Sequence, residues 1–108
     1  MGMTMTEKIL ARAAGLKSVT PGDFVTVNVE TAVVIDQNFM HNRMREPKQV
    51  FDPDKIVIML DHIAPADSPM RASMHKAARR FADKHGISKF HDVNSDLGIC
   101  HQLVADFG

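Results

Sequence analysis

Residues Ile56–Leu60 read Ile-Val-Ile-Met-Leu, with no polar side chain to mark an outer face. A half-exposed strand alternates apolar and polar residues, because successive side chains point to opposite sides of the sheet. An unbroken apolar run instead has the pattern of a strand covered on both faces. Asp52-Pro53-Asp54 supplies a turn before the run, and Asp61-His62 ends it. The chain is therefore expected to build layers on both sides of this strand.

The segments that follow fit those layers. Residues 67–86, "DSPMRASMHKAARRFADKHG", read as a helix capped by Asp67 or Ser68, with Pro69 in its first turn and Gly86 past its end. Met70, Met74, Ala77, Ala78 and Phe81 fall close to one face. His75 and His85 fall among Lys76, Arg79, Arg80 and Lys84, on what reads as a solvated face. "SKFHDV" is a short strand candidate, and "LGICHQLVADF" opens a final helix. Strand, helix, strand, helix from Ile56 onward predicts an α/β fold, layered α/β/α, with a mainly parallel sheet.

Upstream, Thr4 and Glu7 stand at capping-box spacing; Ile9, Leu10 and Ala13 form an apolar face, and Gly15 supplies a stop. Thr20–Asp23 is a turn signature. Val25, Val27 and Val29 then alternate with polar residues, as in a half-buried strand, and Ala32–Ile35 begins a continuously apolar second element. Asp36 to Gln49 is polar and lacks glycine, and Pro47 limits any helix before it, so a loop with one helical turn is expected.

The 108 residues make at most one modest domain, read as a single partial α/β domain over 1–108. The 13 basic and 13 acidic residues balance, which implies no general attraction to nucleic acid or membrane surfaces. No stretch is apolar for the length of a membrane span. One cysteine excludes an internal disulfide framework and suits a reducing cytoplasm, where the chain is expected to reside. "MGMTMT" fits a loose myristoylation pattern, which is too short to carry an assignment.

Two places carry chemistry, and each lies after a candidate strand, where open α/β sheets bind ligands. Asp61-His62 sets an acid beside an imidazole, an arrangement that fixes the tautomer and holds a general acid. The alternative is a pair of polar residues that merely ends a strand. In "GICHQ", Gly98 lets the backbone turn into a helix whose first turn would carry His101, near orphan N–H groups that favour an anion. Cys100 reads as a small core residue beside Ile99, Leu103 and Val104. A zinc set of Cys100 with His91 and His101 is the weaker alternative, because adjacent helical positions diverge by about 100° and no second cysteine exists. No metal ligand is assigned within the chain. Asp36 and Gln37, with Asn38 and His41, lie in the irregular loop, where binding residues concentrate; Asp36 and Gln37 are the substrate-binding candidates.

Taken in order, "MTMTEKILARAAG", "VTPGDFVTVNVE", "VFDPDKIVIMLDHIAPA", "MHKAARRFADKHGI" and "GICHQLV" resemble the N-terminal part of the large subunit of 3-isopropylmalate dehydratase and its relatives in the aconitase superfamily. The resemblance covers nearly the whole chain except Thr31 to Gln49. It implies a hydro-lyase that dehydrates and rehydrates a hydroxy polycarboxylic acid, with isopropylmalate in leucine biosynthesis as the favoured substrate. Homoaconitase and dimethylmalate dehydratase are related possibilities. It also implies active-site roles for Asp61, His62 and His101, a [4Fe-4S] cluster in the complete enzyme, and a proton-abstracting serine from elsewhere.

The chain departs from that pattern as well. The family's cluster cysteines and a "DSH"-type motif lie beyond the matched segments, and Cys100 is not one of the cluster ligands. The region 33–49 lacks the Gly- and Thr-containing substrate loop. No cluster is expected on this chain alone. Its expected partners are the remainder of a large subunit and a small subunit, and as an isolated piece it is expected to self-associate. The competing reading is a stand-alone binding or assembly module that kept the fold without catalysis.

Overall fold

The computed structural model describes residues 2–40, 45–93 and 98–106, and the chain divides into two compact units, Met1–Glu30 and Thr31–Gly108. The first holds helix α1 (Met5–Ala14). Its capping box forms as the sequence requires: Glu7 N–H donates to Thr4 Oγ1 at 3.3 Å, and Thr4 N–H donates to Glu7 Oε2 at 2.6 Å. Gly15, at φ 68°, closes the helix in the left-handed region that favours glycine. Ala11 is the buried residue of α1, whereas Ile9 is 59% exposed.

The strand expected over Val25–Val29 is absent. This segment pairs with no strand among the described residues; Val25 and Val27 are half-buried, and Val29 is exposed. A backbone hydrogen bond ties it to α1, Asn28 N–H donating to the Ala13 carbonyl at 3.0 Å. Alternation describes which side chains are covered, and a ladder additionally needs a neighbouring strand.

The second unit is the α/β layer system. Strands β1 (Ala32–Ile35), β2 (Ile56–Met59) and β3 (Phe90–His91) form an all-parallel sheet in the order β1-β2-β3. β1 runs in register with β2 from Ala32↔Ile56 to Ile35↔Met59. Helix α2 (Pro69–His85) connects β2 to β3, and helix α3 (Cys100–Asp106) follows. Ser68 caps α2 by accepting from Arg71 N–H, while Asp67 pairs with the Arg71 guanidinium at 2.7 Å.

The central strand is covered on both faces. Ile56, Ile58 and Leu60 pack with Phe39, Ala78, Phe81, Ala82 and Ile87 on the α2 side. Val57 and Met59 pack with Cys100 on the α3 side, where Ile35, Leu103 and Val104 join them. Every residue of β2 is therefore buried, which is why none of them is polar.

The buried stripe of α2 is rotated from the expected one. Met74, His75, Ala78, Phe81 and Ala82 are buried, while Met70 is 60% exposed and Ala77 is also exposed. His75 thus belongs to the interior. The His85 side chain is 5% exposed and packs at a tilt against Phe81, with ring centroids 4.4 Å apart. The solvated-face assignment fails for both imidazoles, since the basic residues beside them occupy adjacent rather than identical angular positions. Arg79 clamps Asp92 with two hydrogen bonds, at 2.5 and 2.7 Å, fastening α2 to the residue after β3. No helix among the described residues is long and apolar enough to cross a membrane.

Candidate active site

β2 delivers Asp61 and His62 to the carboxyl end of the sheet. The Asp61 side chain is 10% exposed, and its Oδ1 accepts from His62 Nδ1 at 2.7 Å. A carboxylate can only accept, so this contact places the imidazole proton on Nδ1 and leaves Nε2 as the nitrogen able to exchange a proton with a ligand. The other oxygen, Oδ2, accepts the Cys100 backbone N–H at 2.8 Å. One carboxylate thus orients the imidazole and satisfies the first orphan N–H of α3 across 39 residues of sequence. Burial alone would raise the Asp61 pKa. The Cys100 N–H and His62 outweigh that, and the carboxyl is held below its usual range.

α3 brings the second imidazole. His101 sits in its first turn and is exposed, whereas Cys100 is 3% exposed in the core cluster with Val57 and Met59. Burial, and then the Asp61 carboxylate, push the Cys100 thiol up, so it stays protonated. Of the first-turn N–H groups expected to favour an anion, that of Cys100 is filled by Asp61.

A pocket of about 540 Å³ opens between these elements, lined by Val33, Ile35 and Asn38 from the β1 side, His62 from the end of β2, and Cys100, His101, Val104 and Ala105 from α3. His62 and His101, 39 residues apart in sequence, share this one pocket. Its walls are otherwise largely aliphatic, which suits a ligand with a hydrocarbon portion as well as polar groups.

The loop after β1 contributes differently from expectation. Asp36–Phe39 forms the single helical turn, and Asp36 is 0% exposed. Its Oδ1 accepts from Gln37 N–H at 3.0 Å and its Oδ2 from Ile63 N–H at 2.6 Å. Asp36 is thus turned into the protein, and Gln37 is exposed outside the pocket lining. The pocket residue of this turn is Asn38, whose Oδ1 accepts from Ile35 N–H at 3.0 Å. The available signal for Asn38 was its place three residues past the strand's last apolar side chain, where Asn commonly closes a turn. His41 lies outside the described residues.

Asp61, His62 and Cys100 offer one ligand atom each, all within 4.8 Å of one another. Neither His91 nor His101 belongs to this group. A metal there would have to displace the two contacts that Asp61 already makes and deprotonate a thiol whose pKa is raised. The chain's single cysteine also cannot supply the several thiolates that hold an iron–sulfur cluster.

No family model matches the chain. It is 44% identical over its full length to the 3-isopropylmalate dehydratase large subunit of Mycolicibacterium smegmatis, covering 25% of that protein. It is 42% identical over its full length to a 3-isopropylmalate dehydratase large subunit of Methanopyrus kandleri, covering 26%. A probable methanogen homoaconitase large subunit of Methanothermobacter thermautotrophicus is 38% identical over 98% of the chain, again covering 26%. The chain spans about a quarter of the length of the curated relatives it matches. Across its whole length, the chain belongs to the sequence family formed by the N-terminal quarter of 3-isopropylmalate dehydratase large subunits.

Proposed function

We propose that this chain is a segment of an aconitase-type hydro-lyase acting on a hydroxy polycarboxylic acid, with 3-isopropylmalate as the favoured substrate, and that Asp61, His62 and His101 are its contribution to catalysis. The observation that carries the reading is the convergence of His62 and His101 on one pocket, with His62 held by Asp61 at 2.7 Å. Dehydration needs a proton delivered to the departing hydroxyl. With Nδ1–H committed to Asp61, protonated His62 Nε2 gives its proton to that oxygen as the carbon–oxygen bond breaks and water leaves. The neutral ring then remains in place through its Nδ1–H. In rehydration the proton returns along the same path. His101 faces the ligand from α3 as the second imidazole, and the aliphatic wall of Val33, Ile35 and Val104 takes the substrate's hydrocarbon branch.

The remaining parts come from polypeptide outside these residues. A [4Fe-4S] cluster supplies Lewis-acid activation of the hydroxyl when bound, and its thiolates come from elsewhere, because the one cysteine here is buried and protonated. The carbon-bound proton is taken by a group supplied by the rest of the large subunit or a small subunit. The reducing setting that suits such a cluster makes the cytoplasm the proposed location. Homoaconitate is the competing substrate, favoured by the name of one relative.

In the assembled enzyme, His62→Ala and His101→Ala should each lower turnover by roughly 10²–10⁴-fold, the scale of a positioned acid or base. Near-normal turnover in both variants would sink the assignment. Anaerobic iron–sulfur reconstitution of the 108-residue chain alone should yield no visible cluster absorption. A brown, iron-bearing monomer would refute the division of labour.

A further inference from the structure

We propose that Asp36 and His75 form a buried positioning pair that fixes the peptide between His62 and Ile63, and through it the placement of the His62 imidazole. The pair rests on the proposed function only for the use made of His62; its own grounds are geometric. The β1–β2 ladder ends at Ile35↔Met59. Just beyond it, Asp36 Oδ2 accepts the Ile63 N–H at 2.6 Å across 27 residues, while Oδ1 accepts its neighbour Gln37 N–H at 3.0 Å. A side chain thus continues the tie between the ends of two strands where the backbone ladder has stopped. The residue it grips follows His62 directly.

Two amide donors occupy only part of the acceptor capacity of this carboxylate, which is 0% exposed. The group facing it is His75, on α2. The His75 side chain is 4% exposed, its Nε2 lies 3.8 Å from Asp36 Oδ2, and this Nε2 has no hydrogen-bond partner. Two buried polar groups, one acceptor and one unsatisfied nitrogen, therefore face each other just beyond hydrogen-bond range. A proton on Nε2 completes both with a small closure, whereas a lone pair there would face a carboxylate across a dry gap. His62 is then held from two directions: Asp61 grips the ring, and Asp36, backed by His75, grips the backbone.

Histidine side-chain nitrogen NMR of the 108-residue chain tests this without turnover. In the unmodified chain, His75 Nε2 must carry a proton; a neutral His75 protonated only on Nδ1 overturns the proposal outright. Asp36→Asn and His75→Met should each shift the His62 ring signals and speed solvent exchange of the Ile63 amide by roughly ten- to a hundredfold, the size of a weakened charge-assisted hydrogen bond. His75→Gln, whose amide can donate to the same carboxylate, should restore both readouts. A merely packing role predicts that Met, matched in bulk, preserves the His62 signals. Unmoved His62 signals in folded Asp36→Asn and His75→Met refute positioning. If Asp36→Asn does not fold, the comparison of Met with Gln at position 75 decides alone. Failure here leaves the hydro-lyase reading standing, and failure of that reading leaves these spectra unchanged.

Discussion

Asp61 does two things with one carboxylate, and its substitution should separate them. Asp61→Asn keeps an acceptor for one partner and loses the negative charge that favours an Nδ1–H on His62. In the assembled enzyme its effect should appear chiefly as a changed pH profile of turnover. A flat profile matching the parent would count against the pair acting as a unit. In the isolated chain, the depressed Asp61 pKa sets a sign for acid stability. The folded carboxyl binds its proton less readily than the unfolded one, so the stabilisation is fully present above the ordinary carboxylate range, about pH 4. It is lost as pH falls through the lower folded value. Acid unfolding of Asp61→Asn should therefore be less steep below about pH 4 than that of the parent, which far-UV circular dichroism across a pH series would measure. The pairing of Asp61 with His62 was legible as adjacent letters. The third partner, the Cys100 N–H, was not, because a contact spanning 39 positions leaves no local pattern.

β2 and the two helices on its faces form the load path to the site. Ile58 is 0% exposed and lies on the α2 side, in register with Val34 on one neighbour and Phe90 on the other. Ile58→Ala should cost about 2–5 kcal/mol, the range for emptying a buried aliphatic position, as read from the denaturant midpoint. A loss below about 1 kcal/mol would imply a looser core than the burial indicates. On the opposite face, Gly98 admits the Leu103 side chain: a Cβ there would lie 2.9 Å from Leu103 Cδ1 and 3.0 Å from Cγ. A side chain at this position would therefore oblige Leu103 to shift. Helix and strand identities were readable from caps and apolar runs at α1, β2 and α2. The strand expected at Val25–Val29 was not realised, since alternation is a property of one segment and a ladder belongs to two.

The unit Thr31–Gly108 carries exposed apolar side chains beside an open sheet edge among the described residues. β1 pairs with β2 alone among the described residues, and Val33 on it is 41% exposed, as are Phe51 at 60% and Ile99 at 60%. An unpaired parallel edge with apolar side chains nearby seeks a further strand or a second copy. The 108-residue chain should therefore associate as concentration rises, and Val33→Lys should reduce the association by placing a charge on the edge. Multi-angle light scattering across a concentration series measures both. A strictly monomeric parent at high concentration would overturn the expectation.

Letters alone indicated that one strand is buried on both faces and that parallel α/β layers surround it, and they offered adjacent Asp61 and His62 at its carboxyl end as a candidate acid–imidazole pair. These follow from periodicity and adjacency, which act over a few residues and are written into the order of side chains. Folding set the rest: that His62 and His101 meet on one pocket, that Asp36 turns inward to hold the Ile63 amide, and that His75 lies in the interior opposite it. Each of these joins residues far apart in sequence through the sheet register and the rotation of a helix. A rotation of one helical position, about 100°, exchanges a buried imidazole for a solvated one, and no local composition records which side the core takes.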